Sequence, residues 1–404
     1  MSLTSAAAVG SRSPLHVLLV VALALLTTVW THAQQSPASA EDAAQPDPSA
    51  EDDDTNAVAE KTGPSFIPIP MFITEPAIGY GLGVAVAYFH PRDEEPESPA
   101  GTLPPGLTEH SAASAELQHR RPPDITFLGG GYTDKGTWLL AGGHSASWKE
   151  DRIRYTGVLA YANIESTFYF VDLPFQFNLR GGTLYQSLRV RLGSSNVFLG
   201  GKLSYLNTDA RLAVGEQAPV AFPSQQVSDL GVAIQAVYEG RDNTMTPNSG
   251  QLVELTAWRH IEALGSDFDY WKGTLKLVSF HPVADRFVLG LRLDANAVTG
   301  GPPLWSYPWI SLRGIPALRY QNERTAVAES ELRWDVLPRW SLLGFVGVGA
   351  TRGDVPQYVD ENGVWSGGIG ARYLYRPQDQ LRVGIDIARG PEDWAVYVQV
   401  GQAW

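Results

Sequence analysis

The chain contains a series of segments in which apolar and polar residues alternate, and this pattern constrains the fold more than any other feature. In the clearest of them, Leu289, Leu291 and Leu293 lie on one face, and Arg292 and Asp294 lie on the other. A side-chain period of two predicts a β-strand. Soluble sandwiches alternate too, but here the polar faces carry charges of both signs, and an arginine facing lipid at mid-bilayer would cost ~2–4 kcal/mol. We therefore predict an all-β fold, a transmembrane antiparallel β-barrel with an aqueous or plugged lumen.

The alternating segments recur from residue 79 to the C-terminus, and about sixteen strands can be placed on them. The predicted strands are 79–90, 111–119, 124–132, 137–148, 152–163, 182–192, 196–207, 227–239, 249–262, 267–281, 285–298, 325–336, 339–351, 363–375, 380–388 and 393–404. Long loops are predicted at 91–110, 164–181, 208–226, 299–324 and 352–362, and the other connections are short. Short periplasmic turns and longer outer loops are typical of outer-membrane barrels. Because 111–119 has the least regular pattern, fourteen strands is the alternative.

The last predicted strand, 393–404, has a tryptophan near each end. Trp394, Val396, Val398, Val400 and Trp404 share one face of it. Aromatic residues at both ends of a strand of ~10 residues match the two interfacial girdles of an outer-membrane barrel. We predict that the whole segment spans the membrane and that Trp404 faces outward. No internal stretch reaches the ~18 apolar residues that a membrane-spanning helix needs.

Two regions precede the predicted barrel. In residues 1–33, Arg12 is followed by an apolar run and by Ala33, a small residue at a cleavage position, which is the layout of a secretory signal peptide. An uncleaved membrane anchor is the alternative. Residues 34–63 contain eight acidic residues, one lysine and no aromatic residue, so we predict a disordered acidic linker. Residues 64–404 then form the barrel.

The residue types that catalysis or metal binding needs do not occur at suitable spacings. The chain has no cysteine, which excludes disulfides, thiolate zinc sites and cysteine nucleophiles. Residues 143–147 match a nucleophile elbow only in part, and the eight histidines lack ligand spacing. The scattered arginines form no basic surface of the kind that binds nucleic acid. We therefore predict a protein that is not an enzyme and has no cofactor, metal or nucleic-acid partner.

A turn motif lies between two of the predicted strands. Arg241 and Asp242 are followed by Pro247 and Gly250. Aspartate, proline and glycine supply the dihedral angles and the side-chain to backbone hydrogen bonds of tight turns. The motif therefore has a local structural explanation of its own.

Two further motifs occur in the last quarter of the chain. The sequence Ser311–Pro316 (SLRGIP) lies in the last long loop before the final five predicted strands, and the chain ends on Val400, Gly401 and Trp404. In order and spacing, the three motifs resemble the C-terminal barrel of the bacterial surface antigen, or BamA/TamA, family of outer-membrane proteins. The resemblance covers roughly residues 64–404. It implies that the ending is a C-terminal assembly signal, read by the barrel-assembly machinery during insertion.

The resemblance also implies that Arg313 and Gly314 lie at the tip of a loop that folds back into the lumen. A buried arginine needs a carboxylate partner, and Glu331 matches the first partner that the family uses. The second partner should be an aspartate, but Gly347 occupies its position here. Without the resemblance, Arg313 reads as a solvated loop arginine. Other inward charges are predicted to form a structural ionic ladder, with a selectivity role as the alternative: Glu329, Arg333, Asp335, Arg372, Arg382 and Asp386.

Three functions agree with these patterns. The leading one is outer-membrane biogenesis or translocation in a Gram-negative bacterium, through a weak seam between the first and last strands. The second is a passive or gated pore for small solutes, plugged by the loop 299–324. The third is a structural surface antigen. Family members that insert barrels or secrete proteins carry periplasmic POTRA domains, for which the linker 34–63 leaves no room. Besides outer-membrane lipid, a periplasmic partner protein is therefore an expected partner.

Overall fold

A computed structural model describes most of the predicted barrel. The described residues are 65–75, 79–91, 122–170, 173–214, 220–221, 224–303, 306–315, 319–354, 363–377, 380–392 and 394–404. The predicted signal peptide and acidic linker lie outside them. No helix among the described residues is long and apolar enough to cross a membrane.

The described residues form seventeen β-strands and a 3-10 turn at Glu262–Leu264. The strands are β1 (Ser65–Glu75), β2 (Gly79–Phe89), β3 (Ile125–Thr133), β4 (Trp138–Trp148), β5 (Ile153–Phe170), β6 (Leu173–Arg191), β7 (Val197–Val214), β8 (Val220–Ala221), β9 (Gln225–Glu239), β10 (Gly250–His260), β11 (Tyr270–Ala284), β12 (Phe287–Gly300), β13 (Arg324–Asp335), β14 (Trp340–Arg352), β15 (Gly363–Arg376), β16 (Leu381–Arg389) and β17 (Trp394–Val400).

The long strands form one antiparallel meander. Each pairs with the next long strand along the chain, from β1 with β2 to β16 with β17, while the two-residue β8 pairs with the end of β7. The sheet curls on itself, because the Arg376 guanidinium carbon on β15 lies 4.5 Å from the ring centre of Phe89 on β2. Met245 likewise belongs to one buried apolar cluster with Ile67 of β1 and Leu381 of β16. Sixteen long strands in this arrangement confirm the predicted β-barrel fold.

The two faces of the strands are as the alternation predicts. On β13, Glu329 and Glu331 are buried in the barrel interior, whereas Leu332 and Trp334 are 43% and 42% exposed on the outside. The same exposed apolar positions recur on most strands, for example Leu293 of β12 and Ile385 of β16. Such a continuous apolar outer surface is the kind that lipid covers.

The first strand of the sheet was not predicted, and one predicted strand does not lie between the strands where it was expected. Tyr88 of β2 pairs directly with Thr126 of β3, so the predicted strand 111–119 does not lie between them; residues 92–121 are outside the described ones. The missing member is β1, whose Pro68 and Pro70 argue against a strand because proline donates no ladder hydrogen bond. Sixteen long strands are described, as predicted, but they include β1, which was not predicted.

Adding β1 also changes the end of the barrel at which one connection lies. We call the end where β1 begins and β17 ends the terminal end. Because β1 and β2 are antiparallel, the connection from Phe89 to Ile125 lies at the terminal end, so the prediction of an outer loop at 91–110 is wrong. The predicted loop 164–181 is wrong as well, since β5 continues to Phe170 and β6 begins at Leu173. Aromatic residues, which favour strands, are frequent in the parts of β5 and β6 that were predicted to be loop. Pro174 is tolerated there because it lies at the beginning of β6.

The C-terminal segment is only partly a strand. Trp394 and Val396 face outward as predicted. β17 ends at Val400, and Gly401 has a φ of +77°, a left-handed conformation that favours glycine. The chain then turns inward, and the Trp404 ring centre lies 5.6 Å from that of Phe280 inside the barrel. The predicted outward position of Trp404 is therefore wrong, because the glycine redirects the chain before the girdle is reached.

Candidate functional site in the barrel interior

The connection between β12 and β13, residues 301–323, folds into the barrel, and we call it the inner loop. Four of its side chains are buried and pack with Val327 of β13 and Val364 of β15: Ile310, Leu312, Ile315 and Tyr320. Gly347 of β14 leaves room for this packing, because a Cβ there would lie 2.5 Å from Leu312 Cδ2. The inner loop is thus held against the wall formed by β13 to β15.

Arg313 lies in the inner loop, and its side chain is buried among three carboxylates. Its Nη2 donates to Glu329 Oε1 at 2.6 Å and lies 2.8 Å from Glu331 Oε2. Its Nη1 donates to Asp386 Oδ2 at 2.8 Å. The guanidinium carbon lies 3.5 Å from the ring centre of Phe345, a cation–π contact. The structure thus brings Arg313 and Glu331 together and adds Glu329 and Asp386, whose direct contact with Arg313 the sequence analysis missed.

The second carboxylate was expected at position 347 of β14, where this chain has a glycine. Asp386 of β16 supplies a carboxylate to Arg313 instead. Asp386 is completely buried, and it also accepts hydrogen bonds from Arg372 Nη1 and Nη2 at 2.6 and 2.9 Å. A carboxylate at position 347 would collide with Leu312. We call Arg313, Glu329, Glu331, Arg372 and Asp386 the loop cluster. The carboxylate expected on β14 thus comes from β16, two strands further along the chain.

The loop cluster keeps its arginine charged. Burial alone would lower the pKa of Arg313, but the carboxylates of Glu331, Glu329 and Asp386 raise it above its ordinary value. The guanidinium is therefore held in its charged form. It acts as a permanent positive centre around which the carboxylates are arranged.

Gly314 permits close contact between the inner loop and the wall. It has a φ of +88°, and a Cβ there would lie 2.9 Å from the backbone nitrogen of Gly390. Its own N–H donates to the Tyr397 hydroxyl of β17 at 2.8 Å. Any other residue would be strained in this conformation and would separate the loop from β16 and β17.

A second anchor, which the sequence analysis missed, holds the beginning of the inner loop against β9 and β11. The Tyr270 hydroxyl of β11 lies 2.6 Å from Ser306 Oγ of the loop and donates to Asp229 Oδ2 of β9 at 2.8 Å. Asp229 also lies 2.6 Å from His260 Nδ1, and the His260 ring stacks on Tyr270. These residues are far apart in sequence, and their individual patterns on the strands carry no signal of the contact.

The turn motif forms a compact turn between β9 and β10. Arg241 Nε and Nη2 each donate to the Glu239 carboxylate at 2.8 Å. The Asp242 carboxylate accepts hydrogen bonds from the backbone of Asn248 and Ser249 at 3.0 and 3.2 Å. Gly250, with a φ of +95°, closes the turn. The local hydrogen bonding expected of these residue types is present.

This turn also crosses the terminal end of the barrel. The Pro247 carbonyl accepts a hydrogen bond from Arg333 Nη1 of β13 at 3.2 Å, and Asn248 Nδ2 donates to Gln380 Oε1 before β16 at 3.1 Å. Met245 reaches further, to the cluster of β1, β2 and β16 side chains. The turn therefore joins strands on opposite sides of the barrel.

The residues after β17, Gly401–Trp404, form what we call the C-terminal tail, and they join the other interior elements. The Gln402 N–H donates to the Met245 carbonyl at 2.7 Å, and Gln402 Nε2 donates to Glu331 Oε1 at 2.9 Å. Trp404 packs with Phe280 against Gly290. The three predicted motifs, which are far apart in sequence, thus meet in the interior through Glu331, Gln402 and Met245.

A second group of charges lies on the wall formed by β5, β6 and β9. Arg154 Nε donates to Asp151 Oδ1 at 2.6 Å, and Arg191 also contacts this carboxylate. Both guanidinium carbons lie 4.5 Å from the ring centre of Phe198. We call Asp151, Arg154, Arg191, Glu239 and Arg241 the turn cluster. The sequence analysis missed it, although alternating arginines on the predicted strands were a signal of inward charge.

Among the described residues, no group of three or more His, Cys, Asp or Glu side chains could hold a metal ion.

Comparison with known proteins supports the fold. No family model and no curated protein matches the chain. Three solved structures are similar: BamA from Haemophilus ducreyi lacking POTRA domains 1–3, at 10% identity and a TM-score of 0.50; CdiB from Escherichia coli, at 12% and 0.53; and CdiB from Acinetobacter baumannii, at 9% and 0.52. The fold is that of an outer-membrane β-barrel of the BamA and CdiB type.

The similarity covers most of this chain and less of the others. It includes 84% of this chain and 69% of the BamA chain. For the two CdiB structures it includes 82% and 83% of this chain, but only 61% and 59% of theirs. This chain thus spans about three fifths of each CdiB chain. The apolar outer surface and the BamA-type fold together are those of a β-barrel that spans a membrane.

Proposed function

We propose that this barrel acts in outer-membrane biogenesis or translocation by opening at the seam between β1 and β17. The observation that carries the proposal is the inward turn at Gly401, which limits β17 to Trp394–Val400. A seam with so short a strand offers few backbone hydrogen bonds, each contributing about 0.5–1.5 kcal/mol. The terminal end would face the periplasm, as both ends of an even-stranded barrel do.

The first strand weakens the same seam. Pro68 and Pro70 of β1 carry no backbone N–H, and they lie two residues apart, so both missing donors point to the same side of the strand. Because β1 pairs with β2 along its whole length without a bulge, we infer that the prolines face β17. Two donors would thus be missing on the side of β1 that faces the shortest of the long strands.

Three interior elements compensate for the weak seam. The C-terminal tail, the turn motif and the inner loop contact one another through Gln402, Met245 and Glu331. Opening of the seam would require the tail to leave Met245 and Glu331. In this proposal, a periplasmic partner protein delivers the substrate, and the barrel-assembly machinery inserts the chain by reading its C-terminal signal.

A reversible lock tests this proposal. The chain has no cysteine, so Met245→Cys with Gln402→Cys gives a single thiol pair at positions whose backbones hydrogen-bond at 2.7 Å. In cells depleted of the wild-type protein, we expect the reduced variant to restore the levels of other outer-membrane proteins and the oxidised variant to fail. As a control, Ala388→Cys with Ala395→Cys joins β16 to β17 without holding the tail, and both of its redox states should be active. Equal activity of the oxidised and reduced tail variants, or unchanged outer-membrane protein levels on depletion, would contradict the proposal.

A gated pore for small solutes is the second candidate, and one observation favours it. Inward side chains of β6 and β11, among them Arg189, Thr274 and Lys276, remain partly exposed. Removal of residues 302–322 should then produce a steady ion conductance in planar bilayers. A deletion variant that folds and does not conduct would rule out the pore.

A further inference from the structure

The wall opposite the loop cluster carries an excess of inward positive charge. Four cations lie on the inner faces of β6, β7 and β11, and all are partly buried: Arg189, Lys202, Lys272 and Lys276. Glu254 of β10 lies close enough to Lys202, Arg189 and Lys276 to interact electrostatically with all three. Arg189 lies across from Gly200, two residues from Lys202 on β7, and Lys276 lies across from Glu254, so the three cations surround this carboxylate. Glu239 also acts on Arg189, and Asp294 acts on Lys276.

Lys276 lacks an ion pair although carboxylates flank it. Its direct neighbours across the sheet are Glu254 of β10 and Asp294 of β12. Glu254 is bound by Lys202 Nζ at 2.5 Å, and Asp294 is bound by Arg292. Lys276 consequently forms no ion pair with any residue in the described part of the chain.

Arg189 is in a less favourable position still. Its direct neighbour across the sheet is Arg154 of β5, and like charges directly opposite each other are destabilising. The carboxylates nearest to Arg154, those of Asp151 and Glu239, form ion pairs with Arg154. Over the described ranges, Arg189 has no ion-pair partner.

Within the described residues, Arg189 and Lys276 are thus charges without an ion pair inside a barrel, and such charges require water or a counter-ion. Lys202, which is paired with Glu254, adds a third cation beside them. We propose that Arg189, Lys202 and Lys276 form a luminal binding site for small oxyanions that carry two or more negative charges. The guanidinium would bind two oxygens of the anion side by side, and the ammonium groups would act as point charges. Glu254 opposes binding and thereby selects for anions of higher charge.

Calorimetric titration of the full-length protein in detergent, with inorganic pyrophosphate as the probe at constant ionic strength, tests the site. We expect saturable binding by the wild type. Lys276→Gln should weaken it about tenfold, which corresponds to the loss of one charge-assisted interaction of about 1.4 kcal/mol. Glu254→Gln should strengthen binding, because it removes the competing negative charge.

Lys149→Gln is the matched control, since Lys149 is an exposed cation in the turn after β4. Its affinity for pyrophosphate should equal that of the wild type. Absence of binding by the wild type would overturn the proposal, as would equal losses in Lys276→Gln and Lys149→Gln. If Lys276→Gln does not fold, Glu254→Gln provides the test. Its affinity for pyrophosphate should be higher than that of the wild type, and an unchanged affinity would overturn the proposal. This binding assay does not depend on seam opening, so its outcome is independent of the proposed function.

Discussion

The loop cluster and the turn cluster use the same chemistry to hold different parts of the barrel. In both, buried arginines bind carboxylates and stack on a phenylalanine, Phe345 in the first and Phe198 in the second. Arg313 lies in the inner loop and binds carboxylates of β13 and β16, whereas the turn cluster joins the ends of β5, β6 and β9 to the adjoining turns at the terminal end. The turn cluster thus stabilises strand ends and short turns. The loop cluster instead determines where a long segment lies, so disrupting it should move that segment as well as destabilise the fold.

The largest effect is expected for Arg313→Ala. It would leave Glu329, Glu331 and Asp386 buried without their shared cation, and breaking a buried pair costs about 3–5 kcal/mol. Thermal unfolding in detergent and limited proteolysis of the inner loop would measure the loss of stability and the release of the loop. Arg241→Ala should cost less and leave the inner loop protected, because Glu239 keeps Arg154 at 3.6 Å. Equal effects of the two substitutions would show that the clusters do not differ in this way.

A double-mutant cycle on Arg313→Ala and Glu331→Ala sharpens the comparison. The two losses in free energy of unfolding should be non-additive by about 0.5–3 kcal/mol, because both side chains belong to one cluster. Additive losses, measured by denaturant unfolding of the single and double variants, would mean that the two residues do not interact.

The turn cluster should show the clearer acid response. Burial alone would raise the pKa of Asp151, but hydrogen bonds from Arg154 and Ser147 and the nearby charges of Arg154 and Arg191 lower it below its ordinary value. Because the folded pKa is below the unfolded value of about 3.9, this stabilisation is complete well above pH 4 and is lost as the pH falls towards the folded pKa. Thermal unfolding temperatures should therefore decline less steeply below pH 4 in Asp151→Asn than in the wild type. Identical slopes would contradict this assignment.

The smallest effect is expected at the rim. Arg319 Nε donates to the Glu392 carboxylate at 2.7 Å, but both side chains are about one third exposed. Exposed pairs contribute about 0–1 kcal/mol, so Arg319→Ala should change the unfolding temperature little and leave the inner loop protected from protease. A loss as large as that of Arg313→Ala would show that the rim, and not the loop cluster, holds the loop.

Much of this fold could be predicted from local sequence patterns, because apolar and polar side chains alternate with a period of two along each strand. The faces of β12, β13 and β16 follow directly from it. β1 was not predicted because Pro68 and Pro70 disfavour a central strand. That this segment is a strand is seen only from its pairing with β2. Trp404 was misplaced because its direction depends on the backbone conformation of Gly401.

The candidate site, too, was only partly predictable from the sequence. Arg313 and Glu331 could be paired in advance because a motif marks both. The role of Asp386 in holding Arg313 could not, since it depends on the packing of Leu312 against Gly347. The contact between Tyr270 and Ser306 was equally hidden, because nothing local to either residue encodes it.

The central claim is that Asp386 and its neighbours hold the inner loop inside the lumen. The most direct test is labelling of Leu312→Cys in intact cells with a membrane-impermeant maleimide, since the chain has no other cysteine. We predict little labelling in this variant alone and strong labelling when Asp386→Ala is added. Arg382→Ala is the matched control on β16, because Arg382 contacts Ser341 and Asp335 and makes no described contact with the inner loop. Strong labelling without Asp386→Ala, or equal labelling with Asp386→Ala and Arg382→Ala, would contradict the account.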